Sequence, residues 1–296
     1  MEDSIFRYIA GDGNVRIQLA CTTGAVEQAR LLHDASPVAA AAMGRTLTMA
    51  VLLASELKGG GSVSTTVSGD GPIGRVCAVA RPDGSVKVYC GNPLLDLPVR
   101  ADGKLDVGGA VGSHGKLSVV RDIGVGEPWV GQVNLVSGEI GDDFAMYLAA
   151  SEQQPSLVAL GALAASGGVL SAGGIVVQPL PGCPEEIISH LELVAPTLGD
   201  ISRRLYDEGP EELIASTFRE LKPVLAGSMA VRLQCDCSRD RVERVLLSLG
   251  AGELDDMIAK DGGAEVNCHF CNKKYSFDAG NLEELKVAAN ASRGGV

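Results

Sequence analysis

Four of the eight cysteines stand in two tight pairs, Cys235-x-Cys237 and, thirty residues on, Cys268-x-x-Cys271. The chemistry open to such a set is metal binding. Zinc takes four soft ligands in a tetrahedron at about 2.3 Å, and four thiolates close that shell with no open position. A C-x-x-C turn offers two thiolates from one knuckle. A C-x-C pair in an extended segment turns both sulfurs to one face, because side chains alternate along a strand. Four unrelated thiols would not be expected to fall into two such pairs. The expected site is one zinc ion on Cys235, Cys237, Cys268 and Cys271. His269 lies inside the knuckle, but four sulfurs suffice and no ligation is assigned to it.

The elements that must position these sulfurs are short. Residues 239–249 read as a helix with the stripe Val242, Val245, Leu246, Leu249. Residues 264–267 and 273–277 flank the second pair as a hairpin, and Asn281 starts a final helix carrying Leu282 and Leu285. A segment as small as 229–296 has a thin core, worth about 3–5 kcal/mol. Zinc binding at such sites is worth about 10–16 kcal/mol. The metal therefore decides whether the segment is folded, and oxidising the thiolates would eject it. In an extended C-x-C the two Cα atoms lie roughly 6.5–7 Å apart, near the limit for a disulfide. Joining Cys235 to Cys237 would bend the strand, so metal-bound and disulfide states are structurally incompatible, as a switch requires. An inert structural zinc ribbon fits the same spacing, and spacing alone does not choose.

The rest of the chain sets the class. Of 296 residues 46% are hydrophobic but only 4% aromatic, so the core is filled by Ala, Val, Leu and Ile. The net charge of −12 repels phosphate, and no segment forms a basic patch, which argues against nucleic acid as a partner. The start, Met1-Glu-Asp-Ser, lacks the basic region of a secretory leader. A cytoplasmic protein with reduced thiols is expected. Residues 37–57 hold two apolar runs interrupted by Arg45, and residues 153–184 carry no charge. The second stretch has the length of a membrane span. Its Gly167-Gly168 and Gly173-Gly174 pairs and the prolines at 155, 179, 181 and 184 favour buried strands instead. Residues 153–178 are either ordinary core or an apolar face that another segment covers; the helices of 185–220 are the nearest candidates.

The architecture expected is α+β: a mostly antiparallel sheet domain with packed helices, a helical linker and a small zinc-binding domain, over residues 1–178, 179–228 and 229–296. Strands are predicted in a hairpin over 4–23 and at 62–68, 73–80, 85–90, 115–121, 129–136, 156–165 and 168–178. Helices are predicted at 25–34, after Ser36-Pro37, and from a Ser137 cap with Glu139 in the first turn. The linker carries nine carboxylates against four cations, net −5, on helices near 185–195, 200–207 and 210–220. Gly69-Asp-Gly71-Pro-Ile-Gly74 matches a dinucleotide fingerprint, but strands on both sides and Pro72 make it a β-turn. His33, His114 and His190 are scattered, Cys21, Cys77 and Cys90 read as buried inert thiols, and Cys183 is isolated. No constellation suggests an enzyme.

The run Cys235-x-Cys-Ser-Arg-x-Arg-Val242, then Leu246-x-x-Leu-Gly250, then Cys268-x-x-Cys271, resembles the heat-shock protein 33 family of bacterial redox-regulated holdase chaperones. Gly69-Asp-Gly-Pro-Ile-Gly74, Ser137-Gly-Glu-Ile140, Ser151-Glu-Gln-Gln-Pro-Ser156 and Leu180-Pro-Gly-Cys183 extend the resemblance over nearly the whole chain. It implies an inactive, reduced, zinc-bound monomer. Oxidants would pair Cys235 with Cys237 and Cys268 with Cys271, zinc would leave, and the zinc domain and linker would unfold. Apolar surface on the N-terminal domain and linker would then be uncovered. The oxidised chain would dimerise and hold unfolding client proteins without ATP, passing them to ATP-dependent foldases on reduction.

Overall fold

Alternating apolar residues about Gly11-Asp-Gly13 fold Ser4–Ala10 (β1) and Val15–Cys21 (β2) into an antiparallel hairpin, Ile5 opposite Ala20. The computed structural model describes residues 2–293 of the 296. Next come Thr23–His33 (α1), Pro37–Ala54 (α2), Ser62–Gly69 (β3), Arg75–Ala80 (β4), Ser85–Cys90 (β5), Val107–Val111 (α3), Gly115–Asp122 (β6) and Trp129–Asn134 (β7). They are followed by Gly141–Ala150 (α4), Leu157–Ala165 (β8), Gly168–Pro179 (β9), Glu185–Val194 (α5), Ile201–Asp207 (α6), Gly209–Thr217 (α7), Val224–Ala230 (β10) and Arg232–Leu233 (β11). The chain ends with Arg239–Leu249 (α8), Ala251–Asp261 (α9), Gly263–Asn267 (β12), Lys274–Asp278 (β13) and Ala279–Arg293 (α10). The class is α+β, as the sequence predicts.

Two sheets share one helix. The first has the order β10-β1-β2-β9-β8 and is antiparallel throughout. The second, β11-β5-β4-β3-β6-β7, is antiparallel except for the β11–β5 edge. Helix α2 packs against β8 and β9 of one and β3, β4 and β5 of the other. Burial on all sides explains its composition. Every α2 residue except Pro37 and Arg45 is buried, and small side chains let the neighbours close in. A Cβ on Gly44 would lie 3.0 Å from Val26 Cγ1. Ser36 caps the helix as expected, accepting from the Ala39 amide. Arg45 donates to the Glu139 carbonyl at 2.9 Å and its carboxylate at 2.6 Å. Among the described residues α2 is the one helix long and apolar enough for a membrane span, and 89% of that window is buried inside the protein.

The outer face of the first sheet is covered by helices α5–α7. Ile17, Leu19, Ile175 and Val177 pack there with Leu191 of α5, Ile201 and Leu205 of α6, Leu213 and Ile214 of α7, and Phe218. Val176 and Ala172 of β9 face the other core. β9 is thus apolar on both faces, which is why its stretch of sequence holds no charge. Gly161 leaves room for this cover: a Cβ there would meet Ile201 Cγ2 at 2.9 Å and Ser202 Oγ at 2.8 Å.

Two local readings are corrected. Helix α4 starts at Gly141, not at a Ser137 cap. The chain turns back through Ile140 in the left-handed region (φ 69°), and the buried Asp143 carboxylate gathers the loop amides. Asp143 accepts from Val136 at 2.7 Å, Ser137 at 3.2 Å and Ile140 at 2.9 Å. Such buried, charge-assisted bonds cannot be replaced by water. Asp143→Ala is expected to destabilise this unit by about 2–4 kcal/mol, read by thermal unfolding through the single Trp129, which packs on Tyr147 of α4. A stability within 0.5 kcal/mol of the parent would contradict that role.

Similarly, α10 begins at Ala279, and Asp278 rather than Asn281 caps it, accepting the Asn281 amide at 2.8 Å.

After α7 the chain returns to both sheets. β10 pairs with β1, Met229 opposite Ile5, and β11 pairs with β5, Arg232 opposite Ser85. Position 229 therefore lies inside a strand, and the chain divides into compact units Met1–Gln234 and Cys235–Val296.

Candidate metal centre

In the second unit, Cys268 and Cys271 occupy the turn that joins β12 to β13. The amides of Cys271 and Asn272 both point to the Cys268 carbonyl, at 3.3 and 2.8 Å. The Cys268 amide donates to the Lys273 carbonyl at 2.9 Å, closing the knuckle. Asn272 takes the left-handed conformation (φ 57°) that its short amide tolerates. Cys235 and Cys237 arrive on the irregular segment ahead of α8, whose cap Ser238 accepts from the Arg241 amide.

The four sulfurs meet. All lie within 4.8 Å of one another, Cys235 Sγ 3.7 Å from Cys268 Sγ and Cys237 Sγ 3.3 Å from Cys271 Sγ. Sulfurs at the corners of a tetrahedron with a radius of about 2.3 Å are about 3.8 Å apart. The donor set and its spacing fit a tetrahedral thiophilic ion. Among the described residues this is the one cluster of ligand-type side chains close enough to hold a metal, and His269 contributes no atom to it.

Neighbours set the thiols apart electrostatically. Burial pushes the Cys237 thiol up, but hydrogen bonds from Tyr275 and from Cys271, Cys235 and Cys268 outweigh it and bring it down to about 7. Burial dominates at Cys235 and Cys271, and both are raised. The other cysteines are elsewhere. Burial lifts Cys21 to about 12, with Asp3 adding to it, and Cys90 to about 11. Both are buried, while Cys77 and Cys183 are half-buried. These thiols remain protonated near neutral pH and make poor ligands or nucleophiles.

The apolar support is thin. Its buried members are Leu246, Leu254, Tyr275, Phe277 and Leu282. Two arginines that spacing alone did not assign complete it. Arg239 stacks 4.3 Å from the Phe277 ring centre and donates to the Ser276 carbonyl and the Asn281 side chain, each at 3.0 Å. Arg241 pairs with Asp236, between the first two cysteines, at 2.5 Å. Both arginines stand in the Cys-Ser-Arg-x-Arg-Val run ahead of and into α8, which was the signal available for them. Arg239→Ala is expected to destabilise the second unit by about 1 kcal/mol. Denaturation of the metal-loaded protein, followed by loss of α8–α10 helicity, checks this; an unchanged midpoint would contradict it.

Comparison with known proteins decides the kinship. The family model described as "Hsp33 protein" matches residues 3–278. The chain belongs to the Hsp33 family. It is 44% identical over 287 residues to the 33 kDa chaperonin of Bacillus velezensis, an overlap covering 96% of this chain and 98% of that one. The 33 kDa chaperonin of Bacillus subtilis is 42% identical with the same coverage. The crystal structure of the 33 kDa chaperonin (heat shock protein 33 homolog) of Thermotoga maritima superposes with a TM-score of 0.89 at 36% identity. That superposition covers 98% of this chain and 100% of that one. Membership supports a chaperone, which binds unfolded proteins, rather than an enzyme.

Proposed function

We propose that this chain is a redox-regulated, ATP-independent holdase in which the Cys235, Cys237, Cys268 and Cys271 thiolates hold one zinc ion in the reduced, inactive state. The observation that carries this is the meeting of four sulfurs in a unit whose described residues include five buried apolar side chains. When bound, zinc would supply the cross-link that a core of that size cannot. The linker, 179–228, covers the apolar outer face of the domain formed by 1–178, and 229–296 carries the switch.

Oxidation joins Cys235 to Cys237 and Cys268 to Cys271. Each bond takes two electrons from two thiolates; with peroxide as oxidant, one H2O2 and two protons become two waters. The four donors are lost together, and the small unit loses its stabilisation. The acidic helices α5–α7 then loosen, and Ile17, Leu19, Ile175 and Val177 become available to unfolding clients and to a second oxidised copy. Retention of clients on an apolar face needs no nucleotide. A reducing cytoplasm resets the thiols.

The test is to treat zinc-loaded protein with peroxide at mild heat and follow zinc release and suppression of aggregation of a thermally unfolding client. Both are expected to rise together. Zinc release without suppression would defeat the chaperone reading, and zinc held through oxidation would leave an inert ribbon.

A further inference from the structure

Tyr275 stands between the sulfur cluster and the small core of its unit. It lies on β13 opposite Val266, and its ring is buried with Leu246, Leu254, Phe277 and Leu282. Its hydroxyl donates to Cys237 Sγ at 3.1 Å. Packing alone does not explain the hydroxyl. Phe277, two residues on and on the same face of the strand, fills the core with a bare ring. Other sulfurs receive donors from the main chain, Cys235 from the Cys237 amide and Cys271 from the Lys273 amide. Those come with the backbone course itself. The donor to Cys237 depends on a side chain and can be removed as a single oxygen atom.

We propose that Tyr275 is a positioning residue of the metal centre, its hydroxyl holding the Cys237 thiolate in its ligating rotamer and tempering that sulfur's reactivity toward peroxide. The inference rests on the zinc–thiolate reading above. A ligand oriented by an outer hydrogen bond binds its metal more tightly, and loss of such a partner typically costs about 10–100-fold in affinity. The same bond draws electron density from sulfur. It therefore slows the thiolate's attack on peroxide, in which an S–O bond forms, the O–O bond breaks and hydroxide leaves. Tyr275 thus restrains one member of the cluster, and the setting of the switch depends on a residue that is neither a ligand nor a redox centre.

The test is Tyr275→Phe in the chain of 296 residues. Zinc affinity, measured by competition with a chromophoric chelator, is expected to fall about 10-fold. Peroxide-driven zinc release is expected to be several-fold faster. With cobalt(II) in place of zinc, the sulfur-to-metal charge-transfer band is expected to move to lower energy, because a thiolate that has lost its hydrogen bond is easier to ionise. Phe277→Leu separates packing from hydrogen bonding: it should lower the unfolding midpoint yet leave the cobalt band in place. Parental affinity and an unshifted band in Tyr275→Phe would overturn the inference and make Tyr275 a packing residue. Failure of the parent chain to bind either ion would instead overturn the metal reading beneath it.

Discussion

Replacing Cys268 and Cys271 together by serine is expected to abolish metal binding and to leave residues 235–293 without a stable fold. Serine hydroxyls are hard, protonated donors, and two thiolates cannot complete a tetrahedral shell. What remains is a core of Leu246, Leu254, Tyr275, Phe277 and Leu282 with the Arg239 and Arg241 contacts. A core of that size rarely supplies more than about 3–5 kcal/mol, while a bound zinc ion would contribute about 10–16 kcal/mol. Limited proteolysis should cut readily between α8 and β13 in the double variant and spare that region in the zinc-loaded parent. A protease-resistant 235–293 segment in the serine variant would show that the apolar core suffices and that the metal is dispensable for folding.

The second large effect lies in the first unit and needs no oxidant. Gly161→Val should lift α6 from the sheet, because the new side chain would occupy the space of Ile201 and Ser202. Overpacking of this kind costs about 1–3 kcal/mol. The linker helices are short and carry many like charges, so a cost of that size falls on a marginal element. Gly161 is a sharper probe than Gly173, where a Cβ would also strike the Ala20 carbonyl at 2.3 Å and disturb the sheet itself. The expected result is suppression of client aggregation by the reduced protein with its metal retained. A reduced Gly161→Val chain that loses α5–α7 protection yet holds no client would show that the covered face is not the client surface. Intact α5–α7 protection would show that the glycine is not needed for docking.

Much of this was legible in residue order. The two cysteine pairs announced the cluster because ligand spacing is local: a knuckle and an extended C-x-C each present two sulfurs whatever the surrounding fold. The hairpin over 4–23, the strands at 73–80 and 85–90 and the Ser36-Pro37 helix start were legible for the same reason. Long-range choices were not. Val224-Leu-Ala-Gly-Ser-Met-Ala230 alternates weakly and follows a proline, and pairing with β1 gives it its strand. Helix α9 carries the acidic run of residues 253–256, and the burial of Leu254 anchors it. Asp143 could not be chosen over Ser137 as the cap, because that depends on Ile140 adopting a positive φ that an isoleucine sequence does not advertise. The uncharged stretch 153–178 left open whether it is ordinary core or a covered face, with the helices of 185–220 as the nearest candidates for the cover. That the cover is the linker's own helices needed the packing of Ile175 and Val177 against Ile201, Leu205 and Phe218.

The state of four sulfurs in the second unit is proposed to govern the cover of a sheet in the first. Hydrogen exchange on the same protein, reduced with zinc, oxidised by peroxide, and reduced again with zinc restored, measures it directly. Slow exchange is expected in α5–α7 and in 235–287 in the first state, loss of protection in both segments in the second, and recovery in the third. Protection of α5–α7 unchanged by oxidation, in a sample that suppresses aggregation, would contradict it.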